Sequence, residues 1–190
     1  MQDFPGWTVD FRLMFRQEQS RQASGRTIVK DFGTPLWTAT YQSRGLRPNL
    51  LDEWRARLNA LANGLETFKA WPMSRCWPIL HPYGEGAVPG VIATIGANRK
   101  SLTVDWTDGA TSLSIGDYVE VNSRWLFQVT GVAAGLVTVA PNLPLGVLVG
   151  QAVSVAKPGV TMRLVPDSVS AGASLNGRGS ISFQAIEDRP

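Results

Sequence analysis

From residue 7 to residue 16 the side chains alternate: Trp7, Val9, Phe11, Leu13 and Phe15 fall on one side, and Thr8, Asp10, Arg12 and Arg16 on the other, with only Met14 breaking the polar row. A two-residue period over ten positions fits a β-strand with one buried face and excludes an amphipathic helix. Such a strand needs partners and a covering layer, so the chain has to build a sheet. Residues 17–25 are polar and predict a long, flexible hairpin tip, and residues 26–32 predict the returning strand, with Ile28 and Val29 at its centre. Gly33, Thr34 and Pro35 mark a turn, and residues 36–43 predict another strand with Trp37, Ala39 and Tyr41 on one face.

One segment has helical periodicity. Leu51, Trp54, Leu58, Leu61 and Leu65 recur at 3,4,3,4 spacing and form one apolar stripe. Asn49 is placed to cap the N-terminus, Asp52 and Glu53 put negative charge near the positive end of the dipole, and Gly64 is placed to stop the helix, which is expected over about 49–64. Its stripe is expected to lie on the sheet. Residues 67–71 predict a strand. Pro72, Pro78, Pro82, Gly84, Gly86, Pro89 and Gly90 then mark a connector.

After the connector the pattern changes. Short strands are expected at 92–95, 101–106, 117–121, 125–132, 136–140 and 147–155, separated by turn signals such as Asp108-Gly109 and Gly116-Asp117. That spacing predicts a small barrel or sandwich of the SH3- or OB-like size class. Strands at 160–165 and 180–187, either side of a Ser-, Gly- and Ala-rich loop, return to the alternation of the first 70 residues. In the last of them Ile181, Phe183 and Ala185 alternate with Ser180, Ser182 and Gln184. The fold class expected is therefore mainly β, with a minor helical part. It comprises a β-sandwich with one flanking helix, made from residues 1–87 and 158–190, and an inserted all-β barrel-like module at 88–157.

Composition narrows the function classes. Of the 190 residues 44% are hydrophobic and 17% charged. The charged share is below the roughly 25% of ordinary soluble domains. A surface so poor in charge fits a protein that packs against neighbours, and a Gly- and Thr-rich β-protein has it too. The seven Trp residues suit cores and protein contacts. Net charge is +3, and apart from Arg12, Arg16, Arg21 and Arg26 the basic residues are scattered. No basic stripe with interleaved aromatics is visible, which argues against nucleic-acid contact. Cys76 is the sole cysteine, so no intrachain disulfide forms and a reducing compartment of synthesis is expected. No signal peptide and no apolar run of membrane-spanning length are visible, so a soluble product without membrane contact is expected.

Catalytic patterns are not evident. His81, the sole histidine, sits in the Pro-rich connector five residues from Cys76, a poor place to hold a nucleophile–base pair. One Cys and one His exclude the usual structural zinc site. Asp105, Asp108 and Asp117 share one stretch without the spacing of a calcium loop, and Asp108 is explained by its turn. Glu66, Glu85, Asp105, Asp117 and Glu120 are the carboxylates open to a glycosidase-like pairing, and each has an ordinary reading as a turn or solvated strand residue. Residues 172–179 are glycine-rich but have no Walker lysine and no following helix. No catalytic, cofactor-binding or metal-binding residues are assigned, and no cofactor is expected.

The order of signals carries a resemblance. Val29-Lys30-Asp31-Phe32-Gly33-Thr34-Pro35-Leu36-Trp37-Thr38-Ala39-Thr40-Tyr41, a Leu-rich helix and Leu65-Glu66-Thr67-Phe68 resemble tail proteins of long-tailed phages and prophages of proteobacteria. So do Gly116-Asp117-Tyr118-Val119, Trp125-Leu126-Phe127-Gln128-Val129, Pro141-Asn142-Leu143-Pro144, Met162-Arg163-Leu164 and the closing Ile181-Ser182-Phe183-Gln184-Ala185-Ile186-Glu187. The resemblance implies a distal-tail or minor tail protein of siphovirus type, made in the host bacterial cytoplasm and carried in the virion at the tail tip or baseplate. Such proteins form a homo-oligomeric ring, commonly a hexamer, that joins the tail tube protein to the hub, fibre and receptor-binding proteins. The alternative is a carbohydrate-binding module of a phage fibre or surface enzyme, with Trp106 or Trp125 stacking on sugar. A second rival is a tail-associated wall-degrading hydrolase, against which the lone histidine and the missing motifs argue. An enzyme is not expected.

Overall fold

The computed structural model describes residues 4–107 and 111–189; the side chains of Trp7 and Thr8 and the turn expected at Asp108 and Gly109 lie outside that description. In chain order the elements are β1 (Gly6–Met14), β2 (Gln17–Arg21), β3 (Thr27–Asp31), β4 (Leu36–Ser43), helix α1 (Pro48–Asn59) and β5 (Thr67–Ala70). Then follow β6 (Gly90–Ile95), β7 (Ser101–Trp106), β8 (Tyr118–Val121), β9 (Trp125–Ala133), β10 (Leu136–Ala140) and β11 (Ala152–Ser154), and finally β12 (Val160–Leu164) and β13 (Ser182–Glu187). The protein is mainly β with one α-helix and a closed barrel.

Strands from both ends of the chain share one antiparallel sheet in the order β1-β4-β13-β12-β5. Its register explains the alternation in the sequence. Phe11 lies opposite Ala39 and Leu13 opposite Trp37; Ala39 and Tyr41 lie opposite Ala185 and Phe183. Leu164 lies opposite Ala185, and Met162 opposite Phe68. All these side chains therefore occupy one face and enter one core. The other face presents Arg12, Thr38, Thr40, Gln42 and Gln184 and is left to solvent, as antiparallel sheets allow.

No second full sheet covers the buried face. Two smaller pieces share that work. Helix α1 brings Leu51, Trp54 and Leu58, and Trp54 meets Phe4 edge-on at 5.1 Å. The outer wall of the barrel brings Leu126, which joins the sheet's core, and Tyr118, which packs on Phe11 and Trp37. The Trp37 indole N–H donates to the Leu126 carbonyl at 2.8 Å. Strand β9 thus sends Leu126 out to the sheet and Phe127 into the barrel.

The barrel closes in the order β10-β7-β6-β11-β8-β9, filled by residues that include Ile92, Leu102, Val119, Val121, Phe127, Val129, Val139 and Val153. Closure leaves the barrel no free edge. Its joint to the sheet is also polar. The buried Glu120 carboxylate accepts from the Gly159 amide at 2.7 Å and from the Lys69 ammonium on β5. At the chain's end, buried Glu187 accepts from the Trp37 amide at 2.9 Å and from Arg189 at 2.8 Å, and the Arg189 guanidinium lies 5.8 Å from the Trp125 ring centre.

Several expectations need correction. The helix begins at Pro48 with Arg47 at the N-cap and no side-chain cap, because proline's fixed φ is preorganised for the first helical position; Asn49 lies inside the helix. It ends at Asn59, and a 3-10 turn at Ala62–Gly64 follows, with Asn63 left-handed at φ 54°. Leu65 is exposed and outside the stripe. Gly64, at φ +99°, also permits close backbone approach: a Cβ there would lie 2.5 Å from the Leu164 carbonyl oxygen. The strand expected at 147–155 shrinks to three residues. Arg99 holds residues 143–147 as a loop instead, donating to the carbonyls of Leu143 (2.9 Å), Pro144 and Val147 (2.6 Å). The largest difference concerns residues 17–32. β1 pairs with β4, and β2 and β3 pair only with each other. The segment expected as a flexible tip contains a strand, and the returning strand pairs with it in a two-stranded ribbon of their own.

Candidate interaction surface

The residues weighed for chemistry are spent on packing or lie apart. Asp117 is fully buried: one carboxylate oxygen accepts from the Ile79 amide at 2.8 Å and the other from the Ser114 amide at 2.7 Å. It fastens the connector to the barrel. Glu120, through Lys69 and Gly159, fastens the barrel to the sheet. Glu66, Glu85 and Asp105 are exposed and lie on separate elements. Among the described residues no group of three or more His, Cys, Asp and Glu side chains could hold a metal ion.

His81 packs its ring against Gly86, and its Nε2 is buried without a hydrogen-bond partner among the described residues. The Cys76 sulfur lies 3.5 Å from the Met73 carbonyl oxygen, and burial pushes its thiol pKa up. An activated nucleophile needs the opposite shift. Trp125 is 8% exposed, with the guanidinium of Arg124 5.0 Å above its ring, and Trp106 is half-buried against the barrel core. Trp125 is thus almost wholly covered, while Trp106 lines a small surface hollow with Thr111, Val132 and Val137. The glycine-rich residues 172–179 form a loop against the start of α1, where Gly177 approaches Pro48 and Gly179 bridges to Leu46; a strand follows it and no helix does. No helix of the described residues is long and apolar enough to cross a membrane.

What remains is a surface. β2 and β3 form a five-pair antiparallel arm running from Gln17 opposite Asp31 to Arg21 opposite Thr27. Gly25, at φ +83°, closes the tip. All ten strand residues are exposed, so neither face of the arm is covered. The arm nevertheless carries Ile28 (46% exposed) and Val29 (50%), and at its base Phe15 (59%) and Phe32 (48%). A lone two-stranded hairpin is marginal in water, and its outer edges leave backbone donors and acceptors open to pairing. The arm is held at its root by the Phe32 amide, which donates to the Arg16 carbonyl at 2.8 Å. It is therefore a formed β-ribbon with exposed large apolar side chains.

The sequence singled out residues 17–25 through their polarity and missed the ladder, because an all-polar strand has no period to detect. Its paired signal was Ile28 and Val29, adjacent apolar residues that cannot both face one core. Comparison with known families and curated proteins finds no family model and no curated protein that matches this chain.

Proposed function

We propose that the chain is a structural subunit of the tail tip of a long-tailed phage, with no bond-making centre of its own. Copies join into a ring, with six as the expected number. The ring links the tail tube protein to the hub and fibre proteins, and the chain reaches the virion after synthesis in the host bacterial cytoplasm. The observation that carries this reading is the solvated arm. Covering Phe15, Ile28, Val29 and Phe32, each about half exposed, would contribute on the order of 1 kcal/mol per side chain. The open strand edges would add directional hydrogen bonds. A ribbon left uncovered within its own subunit suits the single head-to-tail contact that, repeated, closes a ring. The body behind it is joined across its two cores, since Leu126 of the barrel wall enters the sheet's core and accepts from the Trp37 indole. A ring that transmits geometry needs such a body.

The test is a deletion. Mass photometry and electron microscopy of the purified wild type should find closed rings. Removing residues 19–24 should leave a folded monomer that forms none. Intact rings from the deletion, or a wild type that stays solitary, would sink the reading.

A further inference from the structure

We infer that the cleft between the diverging ends of β4 and β13 binds a short acidic segment of a partner protein, with Arg44 and Arg178 as its carboxylate ligands. Past the last pair of these strands the Ser43 amide still donates to the Ile181 carbonyl at 2.8 Å, and the chains then part around Arg44, Gly45 and Ser180 before meeting at the bridge between Leu46 and Gly179. The gap is a shallow, open depression of about 660 Å³ lined by Gln42, Ser43, Arg44, Gly45, Arg178 and Gly179, together with Ser180. A second hollow of about 470 Å³ shares Arg44 and Gly45 and is bounded by Arg47 and Leu50. Arg44 therefore stands between two depressions, with one further arginine at each.

Charge decides the occupant. Five of the fourteen arginines have carboxylate partners. Arg12 pairs with Asp10, Arg55 with Asp52, Arg57 with Glu53, Arg163 with Asp188 and Arg189 with Glu187. Arg44, Arg47 and Arg178 pair with no carboxylate among the described residues, and no acidic side chain lines either hollow. Arginines that line a hollow without a counter-charge favour an anionic visitor. The guanidinium fork matches a carboxylate in two-point geometry. The glycines and serines of the walls let an extended backbone come close, and Gln42 and Ser180 add polar contacts at the rim. Neither hollow has an aromatic wall, and the cationic track is short. A single-stranded nucleic acid would need stacking rings and a longer track. The occupant is thus a carboxylate-rich peptide segment. The site lies apart from the arm and does not depend on how copies of the chain assemble.

The probe is fluorescein-labelled hexaglutamate, titrated against the full-length protein at low salt and followed by fluorescence anisotropy. Wild type should bind, and the Kd should rise with salt. The double variant Arg44→Gln/Arg178→Gln should bind at least about tenfold more weakly, a loss of two charge-assisted contacts. The arm variant Arg21→Gln/Arg26→Gln should bind as wild type does. An unchanged thermal midpoint and unchanged particle mass in the cleft variant show that fold and assembly survive, so failure here is separate from failure of the ring. No binding by wild type, equal binding by the cleft variant, or an equal loss in the arm variant overturns the proposal. So does a six-nucleotide oligonucleotide or inorganic phosphate that competes better than unlabelled hexaglutamate.

Discussion

The barrel and the arm are both antiparallel β-structure built from short strands, and they dispose of their apolar side chains in opposite ways. In the barrel, residues 119–121 and 125–127 are buried on both faces. Val119 and Phe127 turn inward, while Glu120 and Leu126 turn outward into the joint with the sheet. The arm buries neither face, and Ile28 and Val29 stand in solvent. One region has spent its apolar and polar groups within the subunit, and the other has kept them available. Burial of this kind supplies stability to one chain, whereas its absence in a formed ribbon leaves apolar surface that the proposed ring would cover.

Changes at the joint should cost most. Leu126→Ala should destabilise the monomer by about 2–5 kcal/mol in chemical denaturation, because it empties a site shared by barrel and sheet. A cost below about 1 kcal/mol would show that the two parts are not one cooperative body. Glu120→Gln comes next, at about 2 kcal/mol, since it weakens the contact to Lys69 and leaves an amide in place of the carboxylate accepting from Gly159. Tyr41 gives a pH-dependent effect. Its hydroxyl donates to the Trp71 carbonyl at 2.9 Å, and burial pushes its pKa well above the ordinary value. A raised folded-state pKa stabilises fully below the unfolded phenol value of about 10 and is lost as pH climbs toward the folded one. Unfolding midpoints should therefore fall above about pH 10, and Tyr41→Phe should flatten that fall. The smallest effect on the monomer belongs to the arm. Ile28→Ser with Val29→Ser should move monomer stability by no more than about 0.5 kcal/mol, as expected for exposed positions. The same pair should abolish rings in mass photometry. A large loss of monomer stability would mean the arm is packed after all.

The sheet was legible because its alternation survives in sequence. Phe11, Leu13, Trp37, Ala39, Tyr41, Phe183 and Ala185 sit at even spacing and enter one core, as their period requires. The barrel was legible in the spacing of its short strands and turns. Its joint was not, since Leu126 and Phe127 form an unbroken apolar run and nothing local says that one faces out toward Trp37. The helix start was misread because Asn49 resembles a cap, while Pro48 sets the backbone one residue earlier. The cleft was invisible for a different reason. Arg44 and Arg178 are 134 positions apart, and only the pairing of β4 with β13 brings them together. Scattered basic residues in a sequence and a local cluster in the fold are the same arginines.

Hydrogen exchange on the assembled and the dissociated protein tests the central claim most directly. Amides of β2 and β3 should exchange fast in the free subunit, where the ribbon stands alone in water. In the assembled particle they should slow by orders of magnitude, while the barrel amides remain equally protected in both. Arm amides that exchange equally fast in both states would contradict the account, because a neighbouring subunit would then leave the ribbon as exposed as it is alone.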